Sequence, residues 1–258
     1  MSGSEFGNLA PIPQELQIRF FVTDPQPCPY LPNRLERKIF TTLEEIKSEQ
    51  FTQYLTESGF RRSQNVFYRP VCDMCSKCVS VRIPVQEFSF KKHWRRIVHK
   101  NINVQRSVNP PEASDERFNL MTVYLEDRHK SGAMYGMDAE SFMSMIEEGS
   151  QNTMLVDYRL SADGPMGNRN ELMGCCLIDE LMDGTSLVYS FFNPSLNANS
   201  FGSYIILDQI SRLKEMGLSH LYLGYWVEGS QTMAYKTRFR PIEVLGKDGW
   251  QIFTESPK

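Results

Sequence analysis

Three stretches in the second half of the chain, MLVDYRL, LMGCCLIDEL and SLVYSFFN, constrain the fold most. Each is rich in β-branched, aliphatic or aromatic residues. The segments between them, SADGPMGN and MDGT, are rich in Gly and Asp. Apolar runs of this length bounded by such turns are strands, and links this short join neighbours, so the three are expected as a meander. Cys175 and Cys176 are adjacent in the middle run, so they point to opposite faces of the sheet and read as buried packing thiols. Two helices are expected before the meander, from about Ser114 to Lys130 and from about Asp138 to Glu148, with SGAMYGM as the flexible connection between them. After it comes NSFGSYIILDQISRLKEMG. Ser200 serves as its cap, Ile206, Ile210, Leu213 and Met216 form a helical stripe, and Gly217 ends it. HLYLGYWV is a further strand, SQTMAYKTRFR a short helix and PIEVL a last strand. His129 and His220 have no partner motif and read as structural. The order defines an α/β (α+β) layer, a mixed sheet flanked by helices.

The chain before about residue 110 mixes shorter elements. TLEEIKSEQFTQYLTESG places Thr42 and Glu45 at capping-box spacing, continues with Ile46, Phe51 and Leu55, and closes on Gly59, which predicts a helix. CVSVRIPV alternates, with Val79, Val81, Ile83 and Val85 on one face and Cys78, Ser80 and Arg82 on the other, which predicts a strand. The expected organisation is a linker over residues 1–15, opening on MSGSEFGN, then a cysteine-containing region over 16–110 and a larger domain over 111–258.

YRPVCDMCSKC spaces Cys72, Cys75 and Cys78 at intervals of three, one thiol short of a four-thiolate site. Cys28, in PCPYLP, can supply the fourth. Two readings stand: a bound zinc ion or iron–sulfur cluster, or a reduced, metal-free cluster packed as small apolar groups. The second is preferred, because no second Cys-x-x-Cys accompanies Cys28 and the loop offers Lys77 and Asp73 but no His.

Composition narrows the classes. The chain has 258 residues, 41% apolar and 23% charged, with a net charge of −3 and six cysteines. Such a balance fits a globular protein with a substantial core. No run of about 18 apolar residues suggests a membrane span, no signal peptide is evident, and a cytoplasmic protein with reduced thiols is expected. The net charge conceals one basic stretch. KKHWRRIVHKNINVQR, Lys91 to Arg106, holds six Lys/Arg, two His, one Trp and no acid. It is either a solvated basic face or a contact for a phosphate backbone, with Lys91, Lys92, Arg95 and Arg96 as the cations and Trp94 as a stacking platform.

The succession of meander, helix and strand resembles the GNAT-type acyltransferase core. The resemblance implies that the helix N-terminus after the central strand receives a phosphate-bearing acyl donor. SLNANSFGS, with Ser200, Gly202 and Ser203, stands at the matching point, where exposed amides and a helix dipole suit an anion. Four ordered motifs then carry a closer resemblance: CPYLPNRLERKIF, GFRRSQNVFYRPVCDMCSKCVSVRIPV, YSFFNPSL and LGYWVEGSQTMAYKTRFRP. Together they resemble the bacterial aspartate/glutamate leucyltransferases, a branch of the arginyl-tRNA–protein transferase family, over nearly the whole chain from Leu16. Two positions depart from the family pattern: Asn193 stands where an acid is usual and Ser230 where Cys is frequent, which removes Asn193 as a base.

The resemblance implies transfer of leucine from leucyl-tRNA to the N-terminal Asp or Glu of proteins, marking them for degradation by the N-degron route. This is aminolysis of an already activated ester. No cofactor is required, and positioning supplies much of the acceleration. The expected cradle is LGYWVEGSQTMAYK. There Glu228 holds the acceptor ammonium or accepts its proton, Tyr225 or Tyr235 protonates the leaving ribose oxygen, and Lys236 meets the oxyanion or a terminal phosphate. An acidic acceptor calls for Arg, whose fork matches a carboxylate. Arg69 and Arg82, with Tyr68 alongside, are the candidates, and Arg34 and Arg37 the reserves. The alternatives are a GNAT enzyme using acyl-coenzyme A and a non-catalytic tRNA- or metal-binding module.

Overall fold

The computed structural model describes residues 18–42, 49–128, 130, 132, 134–161 and 170–254. Its elements are β1 (Phe21–Val22), β2 (Gln26–Pro27), β3 (Leu35–Glu36), β4 (Lys38–Thr42), α1 (Glu49–Glu57), β5 (Arg61–Ser63), β6 (Val66–Pro70), β7 (Cys78–Pro84), α2 (Lys92–Lys100), β8 (Val104–Asn109), α3 (Asp115–Arg128), α4 (Ala139–Glu147), β9 (Thr153–Leu160), β10 (Leu172–Leu181), β11 (Gly184–Phe192), α5 (Phe201–Glu215), β12 (His220–Val227), β13 (Glu243–Gly246) and β14 (Gly249–Ile252).

The expected mixed sheet is present. Its eight strands run in the order β14-β13-β7-β12-β11-β10-β9-β8. The meander β9–β10–β11 is antiparallel throughout. The helix α5 then crosses over and returns the chain as β12, which lies parallel to β11. The adjacent thiols separate as predicted: Cys175 packs under α3 and α4 on one face, and Cys176 packs under α5 on the other. The stripe residues Ile206, Ile210 and Leu213 are buried against Val81, Ile83 and Leu221, whereas Met216, at the end of α5, is 52% exposed.

The sheets do not divide at residue 110. β7, which follows the cysteine loop, lies inside the large sheet between β13 and β12, and β8 forms its edge beside β9. The earlier strands form a small sheet of order β1-β4-β6-β5. The alternation in β7 explains its place: Val81 and Ile83 enter the core beneath α2 and α5, while Ser80 and Arg82 face the small sheet and β13. The helix expected around Thr42 is described as Glu49–Glu57, with Phe51 and Leu55 buried. Thr42 belongs to β4, and Glu45 and Ile46 lie outside the described residues, as do His129 and most of SADGPMGN. SQTMAYKTRFR forms a 3-10 segment, Gln231–Arg238, rather than an α-helix.

A buried ion pair fastens the small sheet to the large one. Arg62, from β5, donates through Nε and Nη2 to the two carboxylate oxygens of Asp179 on β10, at 2.6 and 2.7 Å. Thr153 adds a bond to Asp179 at 2.7 Å. Both charged side chains are almost fully enclosed. Removing one member of such a pair leaves an uncompensated buried charge, which costs roughly 3–5 kcal/mol, whereas replacing both by apolar groups is often neutral. Arg62→Ala is therefore expected to lower the unfolding free energy by that amount in urea denaturation. The pair Arg62→Met with Asp179→Leu is expected to recover most of it. A single variant as stable as the parent would show that the pair does not hold the two sheets together.

Candidate active site

The site begins with a defect in the sheet. β11 and β12 are paired only at their first residues, Gly184 with His220, Thr185 with Leu221 and Ser186 with Tyr222. Beyond these they part toward their C-terminal ends, and a register shift between Tyr222 and Gly224 adds a bulge on the β7 side. Parting strands leave backbone carbonyls without ladder partners, and buried carbonyls require donors. Two side chains supply them. Arg61, from β5, donates through Nη2 to the Val188 carbonyl at 2.6 Å and through Nη1 to the Leu223 carbonyl at 3.5 Å. Lys236, from the 3-10 segment, donates through Nζ to the carbonyls of Leu223 at 2.8 Å and Tyr225 at 2.5 Å.

Gly224 makes the room. It adopts φ +69°, and a Cβ there would lie 1.8 Å from the Arg61 guanidinium. Lys236 is 5% exposed. Burial, with Arg61 nearby, holds its ammonium well below the ordinary lysine range, which favours the neutral amine.

Tyrosines surround this pair. Arg61 stands directly across from Tyr68 in the β5–β6 ladder, so the two side chains share a face. Its charge reaches the hydroxyls of Tyr30, Tyr189, Tyr225 and Tyr235. Burial, then Tyr68, pushes Tyr30 up to about 12 against the opposing pull of Arg61. Arg61, Tyr30, Tyr68 and Tyr189 are half-buried and Tyr235 is exposed, so the crevice has a solvent side. The C-terminal ends of neighbouring parallel strands, where the chain crosses over, are the usual ligand position in open α/β sheets.

The expected residues distribute unevenly around this crevice. Lys236, Tyr235 and Tyr68 belong to it. Tyr225 is buried, and its hydroxyl lies 2.9 Å from both the Gly59 and the Tyr68 carbonyls. It ties the small sheet to β12, which does not suit it to protonate a leaving group. Glu228 is exposed and bonded to Lys77 at 2.9 Å. That bond holds its carboxyl below the usual range and makes it a weaker base.

Arg82 is engaged elsewhere. It binds Glu243 at 2.6 Å and Tyr222 at 3.2 Å, and lies 4.4 Å over the Trp250 ring. Arg69 is exposed, donates to the Ser58 carbonyl and lies over Phe60. Arg37 binds the Thr23 carbonyl and stands 3.9 Å from Asp73. Arg34 is exposed between β2 and β3.

The four cysteines of the first half gather near one another. Cys78 is raised to about 12 by burial and then by Cys28, Cys72 and Cys75, so the four thiols lie within electrostatic reach of one another. Among the described residues, however, no three His, Cys, Asp or Glu side chains stand where one ion can be held.

The basic stretch forms α2 and its flanks. Lys91, Lys92, Arg95, Arg96, His99 and Lys100 are all exposed. Trp94 is not available for stacking on a base: it is 2% exposed and stacked on Phe239, ring centroids 4.6 Å apart. The end of α2 is pinned to the loop before α5, through Lys100 to the Ala198 carbonyl and Asn101 to the Asn199 carbonyl. Ser200, at the start of α5, adopts φ +58° and makes no side-chain cap. Ser203 and Tyr204 both donate their amides to the Ser200 carbonyl. Gly202 lets the helix approach the Phe192 ring, 3.1 Å from where a Cβ would stand.

A mixed sheet whose parallel strands part around Arg61 and Lys236, flanked by a basic helix, makes this an α/β protein with a crevice at the strand split. Comparison with known proteins identifies its relatives. The model for the arginine-tRNA-protein transferase N terminus matches residues 26–96, and that for the C terminus matches residues 116–246. The chain belongs to this family. It is 45% identical over 243 residues to an aspartate/glutamate leucyltransferase of Agrobacterium fabrum, covering 93% of this chain and 96% of that one. It is 44% identical to one of Phenylobacterium zucineum, covering 92% of each. Among solved structures, FemX resembles it with a TM-score of 0.49 at 10% identity, over 84% of this chain and 71% of that one.

Gly224→Ala is expected to expel Arg61 from the split and to leave the Val188 and Leu223 carbonyls unpaired. Each costs about 1–3 kcal/mol if it stays buried. Both changes remove the same interaction, so Gly224→Ala combined with Arg61→Ala should be less stable than Arg61→Ala alone only by the left-handed backbone cost of a Cβ at residue 224, about 1–2 kcal/mol. Additive losses in thermal unfolding would mean that Gly224 does not act through Arg61.

Proposed function

We propose that this protein is an aminoacyl-tRNA–protein transferase that moves leucine from leucyl-tRNA to the N-terminal Asp or Glu of acceptor proteins. The observation that carries the reading is the coincidence of two facts. Relatives named aspartate/glutamate leucyltransferase match almost end to end, and the motifs shared with that family converge on one crevice, GFRR through Arg61 and LGYWVEGSQTMAYK through Gly224 and Lys236.

The reaction is carried by positioning. The acceptor α-amine has an ordinary pKa of about 7.7–8.0, so a useful fraction is neutral near pH 7. Holding it against the ester carbonyl can supply roughly 7–11 kcal/mol of the barrier. The amine attacks, a C–N bond forms, the ester C–O bond breaks and the amine's proton passes to the leaving ribose oxygen. Tyr235, exposed at the crevice, is the hydroxyl best placed to relay it. Lys236 acts from below, fixing the carbonyls that shape the crevice. The exposed cations of α2 hold the tRNA backbone, with its far end secured to the start of α5. No metal enters any step, and the reaction is proposed to run without a bound zinc ion or iron–sulfur cluster. Among the described residues no helix is long and apolar enough to cross a membrane, in keeping with the cytoplasmic setting proposed for a tRNA-dependent enzyme.

Radiolabelled leucyl-tRNA with peptides differing only at the first residue tests the reading. Transfer is expected to Asp- and Glu-peptides, not to Ala-peptides, with acyl-coenzyme A inactive as donor and chelators without effect. Folded protein and intact leucyl-tRNA giving no transfer to either acidic peptide would remove the assignment. Activity with acyl-coenzyme A alone would replace it.

The α2 helix has its own test. Charge reversal at Lys91, Lys92, Arg95 and Arg96 is expected to weaken tRNA binding. It should also flatten the slope of log K against log salt, by roughly 0.7–0.9 for each phosphate that is no longer neutralised. An unchanged slope would place the tRNA on another face.

A further inference from the structure

The geometry points to Arg61 as the residue that reads the acceptor's side-chain carboxylate and so sets the preference for acidic N-termini. The inference rests on the transferase reading above and deepens it.

In an N-terminal Asp or Glu, the carboxylate lies only a few covalent bonds from the α-amine that attacks. The cation that reads it must therefore stand beside the reaction centre. A cation elsewhere on the sheet cannot perform both tasks on one residue. That requirement sorts the arginines. Arg82 is held by Glu243 and Trp250 near the paired ends of β11 and β12, beside His220 and Asp183, away from where the strands part. Arg69 alternates with Tyr68 along β6 and so emerges on the face opposite to Arg61, where it covers Phe60. Arg34 and Arg37 flank β3, which pairs only with β2 in a two-stranded ribbon separate from the small sheet.

Arg61 lies in the crevice itself. Its guanidinium carries five N–H donors, and the Val188 and Leu223 carbonyls occupy one end of the fork through Nη1 and Nη2. A half-buried guanidinium fixed in this way keeps donors for a second, planar partner. The fixation matters as much as the charge. The anchoring carbonyls and the Tyr68 neighbour settle the side chain before a ligand arrives, so little rotamer freedom remains to be lost on binding. Lys236, the other basic side chain of the crevice, is spent on backbone carbonyls. Tyr30 is half-buried and Tyr235 exposed, and the charge of Arg61 reaches both hydroxyls. An acceptor beginning with Asn presents an amide N–H₂ toward the same donors and leaves them poorly paired.

Two measurements test this, one on variants and one on the unaltered protein. The Asp-over-Asn preference in kcat/KM for leucine transfer is measured first with the parent protein. Absence of transfer there removes the transferase reading and, with it, the role assigned to Arg61, whereas transfer with an altered preference bears on Arg61 itself. Arg61→Lys retains a donor for the Val188 carbonyl and loses the two-pronged carboxylate contact. It is expected to stay folded and lose about tenfold or more of the Asp-over-Asn preference, a ratio that any change in leucyl-tRNA affinity leaves unaffected. Arg61→Gln is expected to lose still more. A folded variant that keeps the full preference overturns the inference and transfers the role to Arg69. Should both variants fail to fold, arginine-specific dicarbonyl labelling of the parent protein decides. An Asp-initiated peptide is expected to protect Arg61 at concentrations where the Asn-initiated peptide does not. Equal protection by the two, or none by either, overturns the inference.

Discussion

Two parallel strands that pair at one end and part at the other create the problem around which this molecule is organised. Once β11 and β12 diverge, the carbonyls of Val188, Leu223 and Tyr225 face a gap that neither strand can fill. Closing the strands would remove the gap, and with it the crevice. Here the gap is kept open and its carbonyls are satisfied by side chains, Arg61 from one side and Lys236 from the other. The rest follows from that solution. Gly224 has no side chain because the guanidinium occupies the space. The small sheet docks where it does because Arg61, Arg62 and Tyr225 fix it there. Lys236 is driven toward its neutral form by burial and by the charge beside it.

The small sheet is thereby more than an appendage. Its strand β5 presents consecutive arginines to two structures at once. Side chains alternate along a strand, so Arg61 reaches the split while Arg62 reaches Asp179 on β10. One strand carries both the anchor and the cation in the split, so the position of Arg61 is set by a buried bidentate pair rather than by a flexible loop. The cysteine loop continues from the same sheet into β7 at the centre of the large one. Its thiols sit close to Tyr30 and the crevice edge, which accounts for the coupling of Tyr30 to Cys78.

Much of this was legible in the sequence. The meander, the crossover helix and the returning strand follow from periodicity and turn chemistry, because those signals are local. Lys236, Tyr235 and Tyr68 were reachable through the motifs that contain them. Other features depend on neighbours that sequence distance conceals. Arg61 is visible in GFRR, but the carbonyls it binds lie 127 and 162 residues away. Arg82 looked available on the polar face of its strand until Glu243, 161 residues on, joined β7 as a neighbour. Trp94 stood within a run of cations and suggested stacking on a base. Helical geometry turns it inward to Phe239 while the charges around it face solvent. Ser200 has the composition of a cap, but its left-handed backbone carries the chain into α5 without a side-chain bond.

The central claim is that the split between β11 and β12 is where the aminoacyl ester reacts. A crystal structure with a leucyl-adenosine analogue in which a stable amide replaces the ester tests it most directly. The account predicts the leucyl carbonyl in the crevice near Arg61, with Tyr235 within hydrogen-bond reach of the ribose, about 3 Å. The adenosine should then leave toward the start of α5 and the cations of α2. Binding of the analogue elsewhere would contradict it, for example in the cavity of about 310 Å³ between Phe90, Val98 and Ile102, with Arg61 and Lys236 untouched.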